Sequence, residues 1–513
     1  RYVLGSRGLG DVYKRQTVIL ATVDKFAALP WKVRTNSLFG RVAKHCSRDG
    51  YVAIGEKEHP IHKSTEKLPK SVLKDVMPFA PPELIVQDEL HLITGPLGTI
   101  YGAYETIIQE LCSYKIGDKN ILPKYIVSTA TIKNAQEQIR CLYGRQHTSQ
   151  FPANGFEIGD SFFIKEVPVS KKPFRKYVGI SANGQSMKTT VLRVYAVILQ
   201  TVHELQKDPS YVGYLDPYYT LVGYFNSIRE LGGTVRLLQD DIPKRINRLK
   251  KKYHYTSERY LNESTKVEIT SRIPSTKISE RLDQLEMPMG TKGCLDTAIA
   301  TNMIAVGMDV DRLGLMTVMG QPKQNSEYIQ ATSRIGRQHP GVVFTIYNPY
   351  RPRDLSHYEN FVGYHEQLYR YVEGTTATPF AARARDRTLH ALVISAIRLL
   401  YPEFAENMAA NDIADLSKEQ ETKIIEIIQE RLKIVNPQAL EETKAEIEVF
   451  IGDWKRSAKQ KKTLTYYVGN NLLGKYNRLM NYYSEPCSSA ENGTLNSMRE
   501  VEASATMYYK VED

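Results

Sequence analysis

Gln330-Ala331-Thr332-Ser333-Arg334-Ile335-Gly336-Arg337 follows, a short way on, the apolar run that ends in Thr301-Asn302-Met303-Ile304-Ala305-Val306-Gly307-Met308-Asp309. The spacing Gln-x-x-x-Arg-x-x-Arg predicts an amide and two guanidinium groups on one helical face. Arg is planar, permanently charged and rich in donors, so it suits a transferring phosphate. Alone, a pair such as Arg334 and Arg337 is more often an exposed (i, i+3) pair that makes salt bridges. The order of the other motifs decides between the two.

Upstream, Pro82-Glu83-Leu84-Ile85-Val86-Gln87-Asp88-Glu89-Leu90-His91 is a short apolar run ending in two acids. A buried parallel strand reads as such a run, and its carboxyl end faces the ligand crevice. Asp88 is suited to hold Mg²⁺, which needs one or two carboxylates besides phosphates and water. Glu89 is suited to orient and deprotonate an attacking water. An Asp-Glu pair by itself also reads as two acids capping a loop. Ser128-Thr129-Ala130-Thr131 follows the strand-like Tyr125-Ile126-Val127, and Thr22 sits in Val18-Ile19-Leu20-Ala21-Thr22-Val23-Asp24-Lys25. Ser and Thr at strand ends are also common helix caps.

In this order the stretches resemble motifs Ib (Thr22), II (Asp88 to His91, a DELH form of the Walker B element), III (Ser128 to Thr131, with one residue inserted), V (Thr301 to Asp309) and VI (Gln330 to Arg337) of the superfamily 2 helicases. Ser333 stands where that family usually has Gly. The resemblance implies two RecA-like α/β domains with parallel sheets, the first incomplete, plus a mainly helical C-terminal region. It implies ATP and Mg²⁺ as cofactors and nucleic acid, DNA above all, as partner. Glu89, Arg334 and Arg337 would be catalytic. Asp88, Gly307, Asp309 and Gln330 would hold nucleotide and metal. Thr22 and Thr301 would grip backbone phosphates without reading sequence. His91, Ser128 and Thr131 would couple the two activities. Three further stretches resemble the DrmA family, the helicases of the bacterial antiphage system DISARM. They are Gly320-Gln321-Pro322-Lys323 through Arg337, Pro379-Phe380-Ala381-Ala382-Arg383-Ala384-Arg385-Asp386-Arg387, and Asn496-Ser497-Met498-Arg499-Glu500-Val501-Glu502. By that resemblance the protein acts against phage DNA with a companion subunit. A non-hydrolysing DNA-binding subunit and an RNA helicase are the alternative readings.

A nucleotide motor also needs a phosphate loop, G-x-x-x-x-G-K-[ST], ahead of the acids. None precedes Asp88. Gly469-Asn470-Asn471-Leu472-Leu473-Gly474-Lys475-Tyr476 comes near the pattern, but Tyr476 replaces the metal-binding hydroxyl and the order is wrong. Residues 1–16 lack apolar periodicity, and Gly10 to Gln16 looks like adaptor read-through, so they are set aside as non-native. The expectation is that the phosphate loop belongs to sequence upstream, and that the chain as written turns ATP over poorly.

The net charge of +11 over 513 residues fits a polyanionic partner. Five scattered cysteines without a C-x-x-C argue for the reducing cytoplasm and against a disulfide framework. No run approaches membrane-spanning length. His45, Cys46, His59 and His62 form an H-C and H-x-x-H set that matches no standard zinc module, and they read as surface residues.

The chain divides into a partial first domain at 17–150, a linker at 151–175, a second α/β domain at 176–350 and a helical region at 351–513. Strands are expected at Tyr177–Ile180, Tyr219–Phe225, Ala298–Ala300, Leu315–Val318 and Val342–Ile346, and a helix at Val191–Leu205. Ser275 is expected to cap a helix running to Glu286. Ser417-Lys418-Glu419-Gln420 is a capping box. Ile424, Ile428, Leu432 and Val435 line one helical face. The next helix, begun at Pro437, should close at Gly452. The basic stretches at Lys244–Lys252 and Lys455–Lys462 read as solvated helix faces.

Overall fold

The computed structural model describes residues 18–499, apart from 57–58, 66–68, 130–132, 154, 157–159, 164, 169, 173, 271–272, 302–309, 375, 461–462, 470–471, 473–474, 486 and 488–490. The expectations for residues 1–16, Thr131, Gly307 and Asp309 lie outside the described residues. Internal contacts divide the chain into two compact units. One takes Arg1–Ser149 with Gly374–Asp513, and the other is Gln150–Glu373.

In the first unit, β1 (Val42–Cys46), β2 (Gly50–Ala53) and β3 (Leu73–Asp75) form an antiparallel sheet in the order β2-β1-β3. Next come β4 (Leu84–Gln87) and α1 (Gly95–Cys112). They are followed by a hairpin of β5 (Tyr114–Ile116) and β6 (Lys119–Ile121), then β7 (Lys124–Val127) and α2 (Ala135–Tyr143). β4 and β7 pair in parallel. α1 is apolar nearly all round, with Tyr101, Ala103, Tyr104 and Ile107 buried, as a helix at the centre of a core must be.

The second unit contains β8 (Arg175–Ser181), α3 (Met187–Leu205), α4 (Pro209–Val212), α5 (Asp216–Tyr219), β9 (Leu221–Phe225), α6 (Ile228–Arg236) and α7 (Ile242–Tyr253). It continues with β10 (Lys266–Ile269), α8 (Ser275–Glu286), β11 (Thr297–Ala300), β12 (Leu315–Met319), α9 (Asn325–Thr332), β13 (Gly341–Tyr347), α10 (Pro352–Glu359) and α11 (Phe361–Glu366). The strands make one six-stranded sheet, β10-β11-β9-β12-β13-β8, parallel throughout. β9, β11 and β12 are buried along their whole length, because helices cover both sheet faces. Tyr195 of α3 approaches β9 so closely that a Cβ on Gly223 would lie 2.2 Å from its hydroxyl, so only glycine fits there. That hydroxyl accepts from Thr317 Oγ1 at 2.8 Å. Ser227 caps α6 by accepting from the Glu230 N–H at 3.2 Å. Beneath the sheet ends, the buried Arg259 pairs with Asp296 at 2.8 Å and stacks on Tyr219 at 4.2 Å.

The first unit is completed by α12 (Ala382–Leu400), α13 (Lys418–Val435) and α14 (Leu440–Gln460), with short strand pairs beyond. Their apolar faces join α1 and α2 in one core. The helical region thus packs with residues of 17–149, while residues 351–373 pack with the second unit. The capping box at Ser417 forms in both directions, and Ile424, Ile428 and Leu432 are fully buried. Arg385, in the Pro379–Arg387 stretch, is buried and clamps Glu446 with two bonds at 2.8 and 2.9 Å. That stretch therefore has a structural task. Of the basic residues, Lys244, Lys251 and Lys252 are exposed, as a solvated helix face requires, while Lys455 is half-buried; Lys244 pairs with Asp240 at 2.6 Å and Lys455 with Glu421 at 2.7 Å.

Several helix boundaries differ from expectation: α3 begins at Met187, ahead of Val191, and α14 begins at Leu440, after a 3₁₀ turn at Pro437–Ala439. Pro274 occupies the cap position and Ser275 is the first residue of α8. α14 runs through Gly452 to Gln460. Ile447, Ile451, Trp454 and Ala458 bury one continuous stripe across that glycine. Their burial outweighs the ~1 kcal/mol by which glycine disfavours a helix interior.

Candidate active-site residues

The acids stand where two parallel strands end. β4 and β7 pair from Leu84↔Lys124 to Gln87↔Val127. The ladder continues past both strands: Ser128 N–H donates to Gln87 O at 2.9 Å, and Leu90 N–H to Ser128 O at 2.9 Å. This brings residues 88–91 against 128–129. The Ser128 hydroxyl donates to Asp88 Oδ1, which also accepts from the Glu89 N–H at 2.9 Å. Asp88 is exposed, and its Oδ2 has no hydrogen-bond partner among the described residues. One oxygen is fixed and the other is on offer. That arrangement fits Mg²⁺, which takes few protein carboxylates and fills its shell with phosphate and water.

Glu89 adopts φ 52°, ψ 50°, the left-handed region that non-glycine residues rarely occupy. Such a conformation costs on the order of 1–2 kcal/mol. Glu89 Oε2 lies 3.3 Å from His91 Nδ1, and the same nitrogen lies 3.3 Å from Thr129 Oγ1. Strain of this kind tends to collect at functional turns. The structure thus brings together Asp88, Glu89, His91 and Ser128. It adds Thr129, which the sequence placed beside Ser128 but gave no role.

Thr22 is exposed, and its carbonyl accepts from Lys25 N–H at 3.0 Å at the start of a short 3₁₀ turn, Val23–Ala28. Asp24, two residues on, accepts from Ser497 Oγ at 2.8 Å and from Met498 N–H at 2.7 Å. The Asn496-Ser497-Met498 stretch therefore holds the Thr22 segment in place.

In the second unit Thr301 lies buried just past the carboxyl end of β11. Gln330 sits in the last turn of α9, 6% exposed, with Nε2 lacking a hydrogen-bond partner among the described residues. Arg334 and Arg337 do not share its helical face. α9 ends at Thr332, and Gly336 turns left-handed at φ 71°. A Cβ on Gly336 would come within 2.8 Å of the Gly341 backbone, so the chain is pressed against the start of β13 and cannot stay helical. Arg337 lies 3.8 Å from Asp311. Arg175 donates to the Ile335 carbonyl at 2.6 Å and fixes the turn from below. Gln330 and the two arginines are thus carried by a helix end and the turn after it. They belong to the same unit as Thr301, and Gly307 and Asp309 lie outside the described residues.

Residues 244–339 match the helicase conserved C-terminal domain. The chain is 51% identical over 503 residues, 97% of its length, to the DISARM protein DrmA of Bacillus paralicheniformis, and it spans 44% of that relative's length. Among solved structures, the DUF1998 helicase MrfA bound to DNA is 16% identical over 61% of this chain and 37% of its own, at a TM-score of 0.42. Mycobacterium smegmatis helicase Lhr bound to ssDNA and AMP-PNP is 13% identical over 70% and 38%, at 0.41. Scores this low add no weight. Over the part of the longer protein that it spans, the chain is a relative of the DISARM protein DrmA, and residues 244–339 match the helicase conserved C-terminal domain.

Proposed function

We propose that this chain is the motor part of an ATP-dependent DNA helicase or translocase that acts in the bacterial cytoplasm in antiphage defence, together with a companion subunit. The observation that carries the reading is the network at the ends of β4 and β7, where Asp88 bonds Ser128 and Glu89 meets His91. The kinship with DrmA supplies the defence setting. In this reading residues 17–150 contribute to one RecA-like domain and 176–350 form the other, with 151–175 linking them and 351–513 following.

Asp88 would hold Mg²⁺ through Oδ2, and the metal, when bound, would supply positive charge to offset the phosphates. Glu89 orients the attacking water and takes its proton. Gln330, Arg334 and Arg337 serve nucleotide chemistry from the second unit, the arginines offsetting charge on a transferring phosphate. Thr22 and Thr301 grip backbone phosphates. Ser128, Thr129 and His91 report the state of the acids to the nucleic-acid side.

The test uses the longer protein. Glu89→Gln should keep ATP binding and lower turnover ~10²–10⁴-fold, the range expected when a general base is lost. Turnover near wild type would remove Glu89 from that role. A wild-type protein that binds ATP yet never hydrolyses it would favour the non-hydrolysing reading. Stimulation of hydrolysis by RNA and not by DNA would overturn the choice of substrate.

A further inference from the structure

We infer that Cys46, Asp49, His59 and His62 form a structural zinc site in the first unit. One ligand atom from each lies within 4.8 Å of all the others. Cys46 ends β1 and Asp49 sits in the turn to β2, so the hairpin supplies two ligands three residues apart. His59 and His62 supply two more at the same spacing from the loop beyond β2. His62 is anchored across that loop: its N–H donates to Ser71 Oγ at 2.8 Å, and its carbonyl accepts from Ser71 N–H at 2.9 Å.

Three groups converge on one carboxylate oxygen. Asp49 Oδ2 lies 3.6 Å from Cys46 Sγ and 3.0 Å from His59 Nε2, and it contacts His62 Nε2. Hydrogen bonding alone does not account for this. The His59 side chain is only 6% exposed, and its Nε2 makes no hydrogen bond among the described residues despite its distance from Asp49. That nitrogen is buried and aimed at the cluster, which is costly unless something binds it. Its other nitrogen, Nδ1, lies 3.4 Å from Glu56 Oε1, and Glu56 is gripped by Arg34 at 2.8 Å. A carboxylate behind Nδ1 fixes the tautomer that leaves Nε2 as a lone-pair donor, the usual support for a metal-bound imidazole.

A thiolate, two imidazoles and one carboxylate select zinc over magnesium or calcium. Zinc bond lengths set tetrahedral ligand atoms roughly 3.3–3.8 Å apart, so Asp49 draws back from the two imidazoles while the wider pairs, all within 4.8 Å, close in. Four protein ligands close the site, which makes it structural. Binding releases the Cys46 thiol proton to solvent and leaves both imidazoles neutral. The surface-residue reading of the sequence is corrected here, since Cys46 is 1% exposed. His45 is not a ligand: its ring packs against Tyr51 at 5.0 Å. Asp49 was the missing member, and a search restricted to His and Cys passes over it.

The test is metal content and cobalt spectroscopy on the 513-residue chain. Wild type after gel filtration should retain about one zinc per chain, and the combined Asp49→Asn, His62→Ala variant should lose it while far-ultraviolet circular dichroism stays near wild type. Cobalt put in place of zinc should give the intense visible bands of a tetrahedral site and a near-ultraviolet thiolate-to-cobalt band. Cys46→Ser should remove that near-ultraviolet band. If Cys46→Ser fails to fold, the wild-type cobalt spectrum still decides. A folded wild type with no stoichiometric zinc and a six-coordinate cobalt spectrum would overturn the inference, as would zinc retained in full by the double variant.

Discussion

The two units both present polar residues at the ends of parallel strands, but they use very different amounts of sheet. In the second, β9, β11 and β12 lie in the middle of six strands and are buried along their whole length. In the first, the acids follow a pair of strands, and Leu84, Val86 and Ile126 lie largely exposed along it. Cohesion in the first unit comes from α1, α12, α13 and α14, with Trp454 sealed among them and donating to Ala410 O at 2.8 Å. The turn that carries the acids is held by the backbone ladder, which carries on past β4 and β7 at Ser128 and Leu90.

The sharpest way to break this comparison is to disable one unit's chemistry and leave its fold intact. Arg337→Ala in the longer protein should lower turnover ~10³–10⁵-fold with ATP binding retained, measured by steady-state hydrolysis. An unimpaired variant would remove the second unit's turn from the chemistry. Next in size, Asp296→Ala should destabilise the second unit by about 3–5 kcal/mol, because it strands the Arg259 charge in the interior. Hydrogen exchange should show the loss in β9 to β12 while α1 and α12 stay protected. Leu392→Ala should do the reverse, costing the first unit about 2–5 kcal/mol, since Leu392 is fully buried in its core. If either variant weakens both units equally, they do not fold separately.

A smaller effect separates the units by pH. Burial pulls His390 of α12 down to about 4. The unfolded chain, with an ordinary histidine, then binds more protons between pH ~6.5 and ~4. Stability of the first unit should therefore fall as pH drops through that window, by at most about 3 kcal/mol, and by less to the extent that the residue reaches the surface. His390→Gln should flatten this slope in urea titrations. Smallest of all, Gly452→Ala should stabilise α14 by about 0.5–1 kcal/mol, because a Cβ there meets nothing within 4 Å.

Legibility in the sequence follows the same divide. Leu315-Met316-Thr317-Val318 and Val342-Val343-Phe344-Thr345-Ile346 read as strands because a parallel sheet covered on both faces demands unbroken apolar runs. Asp88 and Glu89 also end an apolar run, but the burial expected of that strand is not met among the described residues, where Leu84 and Val86 lie exposed. The arginines were placed on the wrong element because nothing local reveals that Gly336 must pass within backbone contact of Gly341. Gly452 read as a stop, but packing between distant helices overrode a weak local preference. The union of the helical region with residues before 150 depends on contacts between segments far apart in sequence, which periodicity does not report.

Asp24 and Met498, 474 positions apart in sequence, meet in one hydrogen-bonded corner, and Thr22 stands just outside it. Anything that tugs on or clips the chain near Ser497 would slacken the neighbourhood of Thr22. On the role proposed for Thr22, its hold on a polymer backbone would then be adjustable through that corner, much as a clutch is worked by its own lever.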